Sequence, residues 1–197
     1  MTRLSDLDAV LRAALDEQGL SYQRSAPGAY LVRLEGSHKL ATMTWLVVGQ
    51  HSLRVEAFVV RRPEDNVEAV YRFLLGRNAR MFGVAFSVDA LGDVYLVGRL
   101  PLAAVTAAEI DRLLGCVLTY SDESFNTVLE IGFAASIRRE WEWRRKRGES
   151  TANLAPFARF AEPREVAPDD DLAPDSESGR AAGTLPACTP ADRSPHR

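Results

Sequence analysis

The stretch from His38 to Val60, HKLATMTWLVVGQHSLRVEAFVV, reads as two β-strands joined by a tight turn at Gly49-Gln50. Met43, Trp45 and Val47 share one face of the first strand, and Leu46 and Val48 share the other. After the turn, Leu53, Val55, Ala57 and Val59 alternate with Arg54, Glu56 and Phe58. A period of two, filled with β-branched and aromatic residues, suits neighbouring antiparallel strands with one face on a core.

Working outward, Tyr30–Leu34 is a third strand, preceded by the Pro27-Gly28 turn signal. Upstream of it, Leu7, Val10, Leu11, Ala14 and Leu15 fall at helical spacing between Ser5 and Gln18. Ser5 and Asp8 are spaced as a cap, Gly19 as a stop, and Asp8, Arg12, Asp16 and Glu17 form the polar face. Downstream, Pro63-Glu64-Asp65 opens a helix in which Asp65 and Glu68 have capping-box spacing; Val67, Val70, Tyr71 and Leu74 are its stripe, and it ends near Asn78. Phe82–Val88 and Val94–Leu100 then form a hairpin around Asp89–Asp93. Thr106 and Glu109 start a long helix whose apolar period runs from Ile110 through Leu118 to Phe125, Val128, Leu129, Phe133 and Ile137. The polar run Ser121-Asp122-Glu123-Ser124 marks a candidate kink in it. The expected order is α-β-β-β-α-β-β-α: an α+β domain with a five-stranded antiparallel sheet, helices mainly on one face and a long C-terminal helix.

The chain has 197 residues, 46% of them hydrophobic and 26% charged, with a formal net charge of -3. That composition excludes collagen, a disulfide scaffold and wholesale disorder. Charge is uneven: residues 1–148 hold 19 basic and 18 acidic side chains, and residues 149–197 hold 5 and 9. Seven of the ten prolines also lie beyond Gly148. Few large apolar groups there can offset an ordering cost of ~1–2 kcal/mol per residue, so residues 1–148 are expected as the domain and 149–197 as a disordered acidic tail. No run approaches a membrane span, and Met1–Asp6 lacks the charged-then-apolar pattern of a leader, so the expected location is the cytoplasm.

Reactive constellations are absent from the spacing. His38, His51 and His196 are too dispersed for metal ligation or a base with its orienter, and Cys116 and Cys188 cannot build a metal centre alone. Glycine-rich phosphate loops and a Gly-x-Ser-x-Gly elbow are missing. Asp122, Glu123, Glu130, Asp89 and Asp93 fall on a helix surface or a turn, where solvated charge is expected. No catalytic residue, cofactor or metal is assigned.

Residues 138–147, Arg-Arg-Glu-Trp-Glu-Trp-Arg-Arg-Lys-Arg, stand apart. Phe133, Ile137 and Trp141 recur every four residues, with Arg138 and Arg145 beside them. Three readings are open: aromatics capping their own core, a surface for a protein partner or a second copy, and a grip on nucleic acid through Arg144–Arg147. A net charge of +1 over residues 1–148 is a weak footprint for the last of these. Asp169-Asp170-Asp171 could fold back on this basic segment over a flexible linker.

Leu74-Leu75-Gly76-Arg77-Asn78, Phe82, Phe86, Gly92-Asp93-Val94-Tyr95-Leu96, Leu100-Pro101-Leu102, Thr106, Leu113-Leu114, Phe125-Asn126 and Gly132-Phe133 together resemble the YbjN family, in the version common in high-GC bacteria. The resemblance covers residues 4–148. It implies a fold like that of type III secretion chaperones, which dimerise and hold extended client segments. It further implies a non-enzymatic binding or regulatory module, with a protein client or a second copy as partner.

Overall fold

The computed structural model describes residues 4–161. Helix α1 (Leu4–Glu17) leads into strands β1 (Ser21–Ala26), β2 (Ala29–Glu35), β3 (Ala41–Val48) and β4 (Ser52–Val60). Helix α2 (Val67–Asn78), strands β5 (Val84–Val88) and β6 (Val94–Pro101), and helices α3 (Ala107–Gly132) and α4 (Ala134–Arg147) follow. A 3-10 segment, Ala152–Phe160, comes last. The strands make one antiparallel sheet in the order β1-β2-β3-β4-β6-β5.

The sheet has six strands where five were expected, because Ser21–Ala26 carries no apolar alternation of its own. SYQRSA offers one large apolar residue, Tyr22, and the strand lies at the sheet edge with almost every side chain exposed. Pairing with β2 makes it a strand, and no alternation announces that. Gly28 makes the intervening turn at φ 72°, where a Cβ would meet Leu4 Cδ1 at 2.8 Å.

The core lies between one sheet face and the helices. Tyr30, Val32 and Leu34 from β2, Leu46 from β3, Leu53, Val55, Ala57 and Val59 from β4, and Leu96 from β6 meet Leu7, Leu11 and Leu15 of α1 and Ile110, Leu114, Val117 and Val128 of α3. Burial of so many branched side chains, at about 1.5–3 kcal/mol each, is the main driving force.

Helix α3 runs unbroken through Ser121–Ser124, the expected kink. Ser121 and Ser124 are fully buried, and Ser121 Oγ lies 3.0 Å from Thr42 Oγ1 of β3. The helix breaks at Phe133 instead. There the Gly132 carbonyl accepts from the N–H groups of Glu64 and Asp65, and a Gly132 Cβ would press on Pro63 and Val70 at 2.9 Å. Asp65, expected to cap α2, turns to the other side and accepts from the Ala135 N–H in the first turn of α4, at 2.9 Å. Helix α2 begins after Asn66, which adopts a left-handed φ of 45°. The Thr106 cap forms as expected, its hydroxyl oxygen accepting from Glu109 N–H.

Structure also continues past Gly148, the boundary expected from composition. Leu154 and Phe157 of the 3-10 segment are buried, so this short apolar run offsets its own ordering cost where the tail's average composition would not. The rest of the expected acidic tail, Asp169-Asp170-Asp171 included, lies outside the described residues.

Candidate protein-binding surface

The sequence points to Phe133, now at the α3–α4 break, and to Ile137, Trp141, Arg138 and Arg145 of α4 as a partner-binding ridge. Phe133 is only 4% exposed and Ile137 7%, both within the main core, and Trp141 is half-buried against it. The arginines around them hold the chain's own C-terminal segment. Arg138 stacks on Phe160 at 5.1 Å, Arg145 donates to the Ala161 carbonyl at 3.4 Å, and Arg144 donates to Glu140 and to the Ser150 carbonyl. Arg159 returns an ion pair to Glu130 of α3 at 2.6 Å. Among the described residues this ridge is covered from within.

A different apolar surface stays open. The helices take one face of the sheet; on the other, Met43, Trp45 and Phe58 are 39%, 38% and 40% exposed. Strand register places them. Gln23, Leu31, Trp45, Glu56, Val97 and Ala85 are successive cross-strand neighbours and form a row through the middle of the face. On one side of that row Met43 lies opposite Arg33, and Phe58 lies opposite Tyr95 with ring centroids 5.5 Å apart. On its other side Val47, Arg54 and Arg99 are neighbours. The signal was present in the sequence: β3 is apolar on both faces, and Phe58 interrupts the polar side of β4. Its buried side carries Thr42, Thr44 and Leu46, and strand alternation leaves the larger residues Met43 and Trp45 facing outward.

Lys39 closes one end of this face. Its Nζ donates to the Phe58 carbonyl at 2.6 Å and lies 5.6 Å and 5.8 Å from the ring centroids of Phe58 and Phe125. Burial lowers its pKa to about 8. The loop bearing Lys39 is pinned by Asp122 of α3, which accepts from the backbone N–H groups of His38 at 2.8 Å and Lys39 at 2.9 Å. His38 Nδ1 stands 3.0 Å from the same carboxylate. Burial alone would raise the Asp122 pKa, but the N–H groups of Lys39, His38 and Ser37 outweigh it and hold the carboxyl below its ordinary range. Asp122 is thus a loop anchor and not the solvated charge expected, and the His38 that looked isolated in sequence meets it. Among the described residues no three His, Cys, Asp or Glu side chains are grouped to hold a metal ion, and no helix is long and apolar enough to cross a membrane.

Residues 7–130 match the YbjN family model, described as "Putative bacterial sensory transduction regulator". The chain belongs to the YbjN family. An uncharacterised protein of Mycobacterium tuberculosis is 51% identical over 160 residues, covering 79% of this chain and 87% of that protein. One from Mycobacterium leprae is 49% identical over 155 residues, covering 76% and 84%. Among solved structures, a chain of the ExsC–ExsE complex aligns at 20% identity and a TM-score of 0.49, covering 65% of this chain and 97% of its own length. The YbjN protein of E. coli aligns at 17% identity and a TM-score of 0.46, covering 63% and 94%.

The YbjN motifs in this chain have structural work. Asn78 donates to the Phe86 carbonyl at 3.1 Å and accepts from the Phe86 N–H at 2.7 Å, occupying the free edge of β5 as a further strand would. Gly92 turns at φ 89°, and Asp93 accepts from the Arg62 N–H at 2.7 Å, tying the β5–β6 turn to the end of β4.

Proposed function

We propose that this YbjN-family protein is a chaperone-like, non-enzymatic binding module that holds an extended client segment on the open face of its sheet. One observation carries the reading: three large apolar side chains from two adjacent strands, Met43, Trp45 and Phe58, stand about two-fifths exposed on one continuous face that the helices leave bare. Exposed apolar area of this kind, ringed by Arg33, Arg54 and Arg99, is what a partner covers. Family membership agrees with a regulatory protein that works by contact. Phe133 at the α3–α4 break and the α4 residues Ile137, Trp141, Arg138 and Arg145 enter this reading as the seat of the 3-10 segment. Arg144, Arg145 and Arg147 already have acceptors within the chain, Glu140, Ala161 and Glu149, which weighs against the basic end of α4 as a grip on nucleic acid.

Titration of the ¹⁵N-labelled chain with a short apolar peptide of alternating Val and Thr should move the amide signals of β3, β4 and β6. Trp45→Asp should abolish the response, and Trp45→Thr, which adds no charge opposite Glu56, should weaken it while leaving the melting temperature within a few degrees, because that side chain is not in the core. Shifts confined to α4 and the 3-10 segment would place the surface there instead. A change in sedimentation coefficient on Trp45→Asp without peptide would make a second copy the occupant.

A further inference from the structure

The open face is not uniformly apolar. Arg54 and Arg99 stand directly opposite each other on β4 and β6, both exposed. Like charges in that position repel and weaken the pairing of the strands. Glu56 reaches Arg54 only at 3.8 Å, and among the described residues no carboxylate pairs with Arg99. The two side chains border a pocket of about 360 Å³, walled by Val47 and the Gly49–Ser52 turn with His51, and no acidic residue lines it.

We propose that this end of the face is a subsite for acidic side chains of the bound segment, which crosses the Leu31–Trp45–Val97 row with an apolar side chain over Trp45. The proposal rests on the sheet-face reading above and adds the chemistry of the partner. Opposed residues on antiparallel strands have Cβ atoms about 5 Å apart, so both guanidinium forks can reach one carboxylate. A segment lying along the strands presents alternate side chains about 7 Å apart, which is also the distance between neighbouring rows of the face. An acidic residue two positions from an apolar one therefore meets the arginines while the apolar one meets Trp45. Glu56, in the middle row beside Trp45, repels an acid placed one row too far and so fixes the register. That mixture of apolar row and acidic sentinel is also why the geometry favours a peptide over a phosphate backbone.

The test uses the full ¹⁵N-labelled chain and two capped peptides with the same Val/Thr alternation, one ending in Glu-Thr-Glu and the other in Gln-Thr-Gln. The Glu peptide should bind roughly tenfold more tightly at low salt, moving the amide signals around Arg54 and Arg99. That advantage should vanish in Arg99→Glu, whose melting temperature should rise because an opposed pair of charges replaces a repelling one; Arg99→Gln should behave the same way in binding. Equal affinity of the two peptides, with shifts on the open face, overturns the subsite and leaves the sheet-face reading intact. No shifts with either peptide overturns both. Stronger displacement of the same signals by oligothymidylate assigns the arginines to phosphate and also overturns the proposal.

Discussion

Single side chains decide more here than their place in the sequence suggests. Asp8 reads as part of the polar face of α1, yet it is buried and accepts from the Gly28 N–H at 2.7 Å, Tyr30 OH at 2.7 Å and both Arg24 Nη2 at 2.8 Å and Nε at 3.2 Å. The Gly28 N–H, then Arg24 and Tyr30, lower its pKa from 3.8 to about 2. A depressed carboxylate stabilises the fold fully above its unfolded value and loses that contribution as pH falls toward the folded one. Asp8→Asn should therefore cost about 2 kcal/mol at neutral pH, with the gap to wild type closing between pH 4 and pH 2, read by thermal denaturation across that range. Lys39 has the opposite sign. Its folded pKa, about 8 against an ordinary 10.5, means the unfolded chain binds more protons between those values, so stability should rise with pH across that window. Lys39→Met should raise the melting temperature at pH 7, and the gain should shrink by pH 10; a gain independent of pH would show that packing, not desolvation, is responsible.

At the scale of elements, local patterning and tertiary contact divide the labour. Helix α1 and strands β2 to β6 follow from period and the Thr106 cap from capping chemistry, because each stripe must bury itself. The cap expected from Ser5 and Asp8 does not form, since α1 starts at Leu4 and Asp8 serves the β1–β2 turn. The α3–α4 break and the reassignment of Asp65 do not follow from local signals, since they depend on Gly132 touching Pro63 and Val70 across the chain. Asn78 belongs with them: its spacing identifies a helix end, but its amide serves the edge of β5, eight residues on. Asn78→Ala should leave the Phe86 N–H and carbonyl to solvent or to another chain. We expect a loss of about 1–2 kcal/mol, with concentration-dependent association visible by sedimentation.

For the molecule as a whole, the 3-10 segment adds Phe157 to the core, while Met43, Trp45 and Phe58 stay exposed on the other face of the sheet. Phe157 is 5% exposed and Arg138, Arg145 and Arg159 tie its neighbours to α3 and α4. A chain ending at Gly148 should melt well below one ending at Ala161, and Phe157→Ala should lower stability by about 3 kcal/mol in denaturant titration. The candidate site was half-legible for the same reason: the sequence displayed Phe133, Ile137 and Trp141 as an apolar ridge without showing that residues 152–160 lie on it. Apolar residues on both faces of β3 were equally plain, but which face met the helices was not.

The sequence alone determined the class of fold, most element boundaries and the family, because those rest on periodicities and turn residues that act over a few positions. Only the tertiary structure decided which apolar surface is spent on the core and which remains. That choice depends on residues distant in the chain competing for the same area: the 3-10 segment packs on α4 with Leu154 and Phe157 buried, and no described helix covers Trp45.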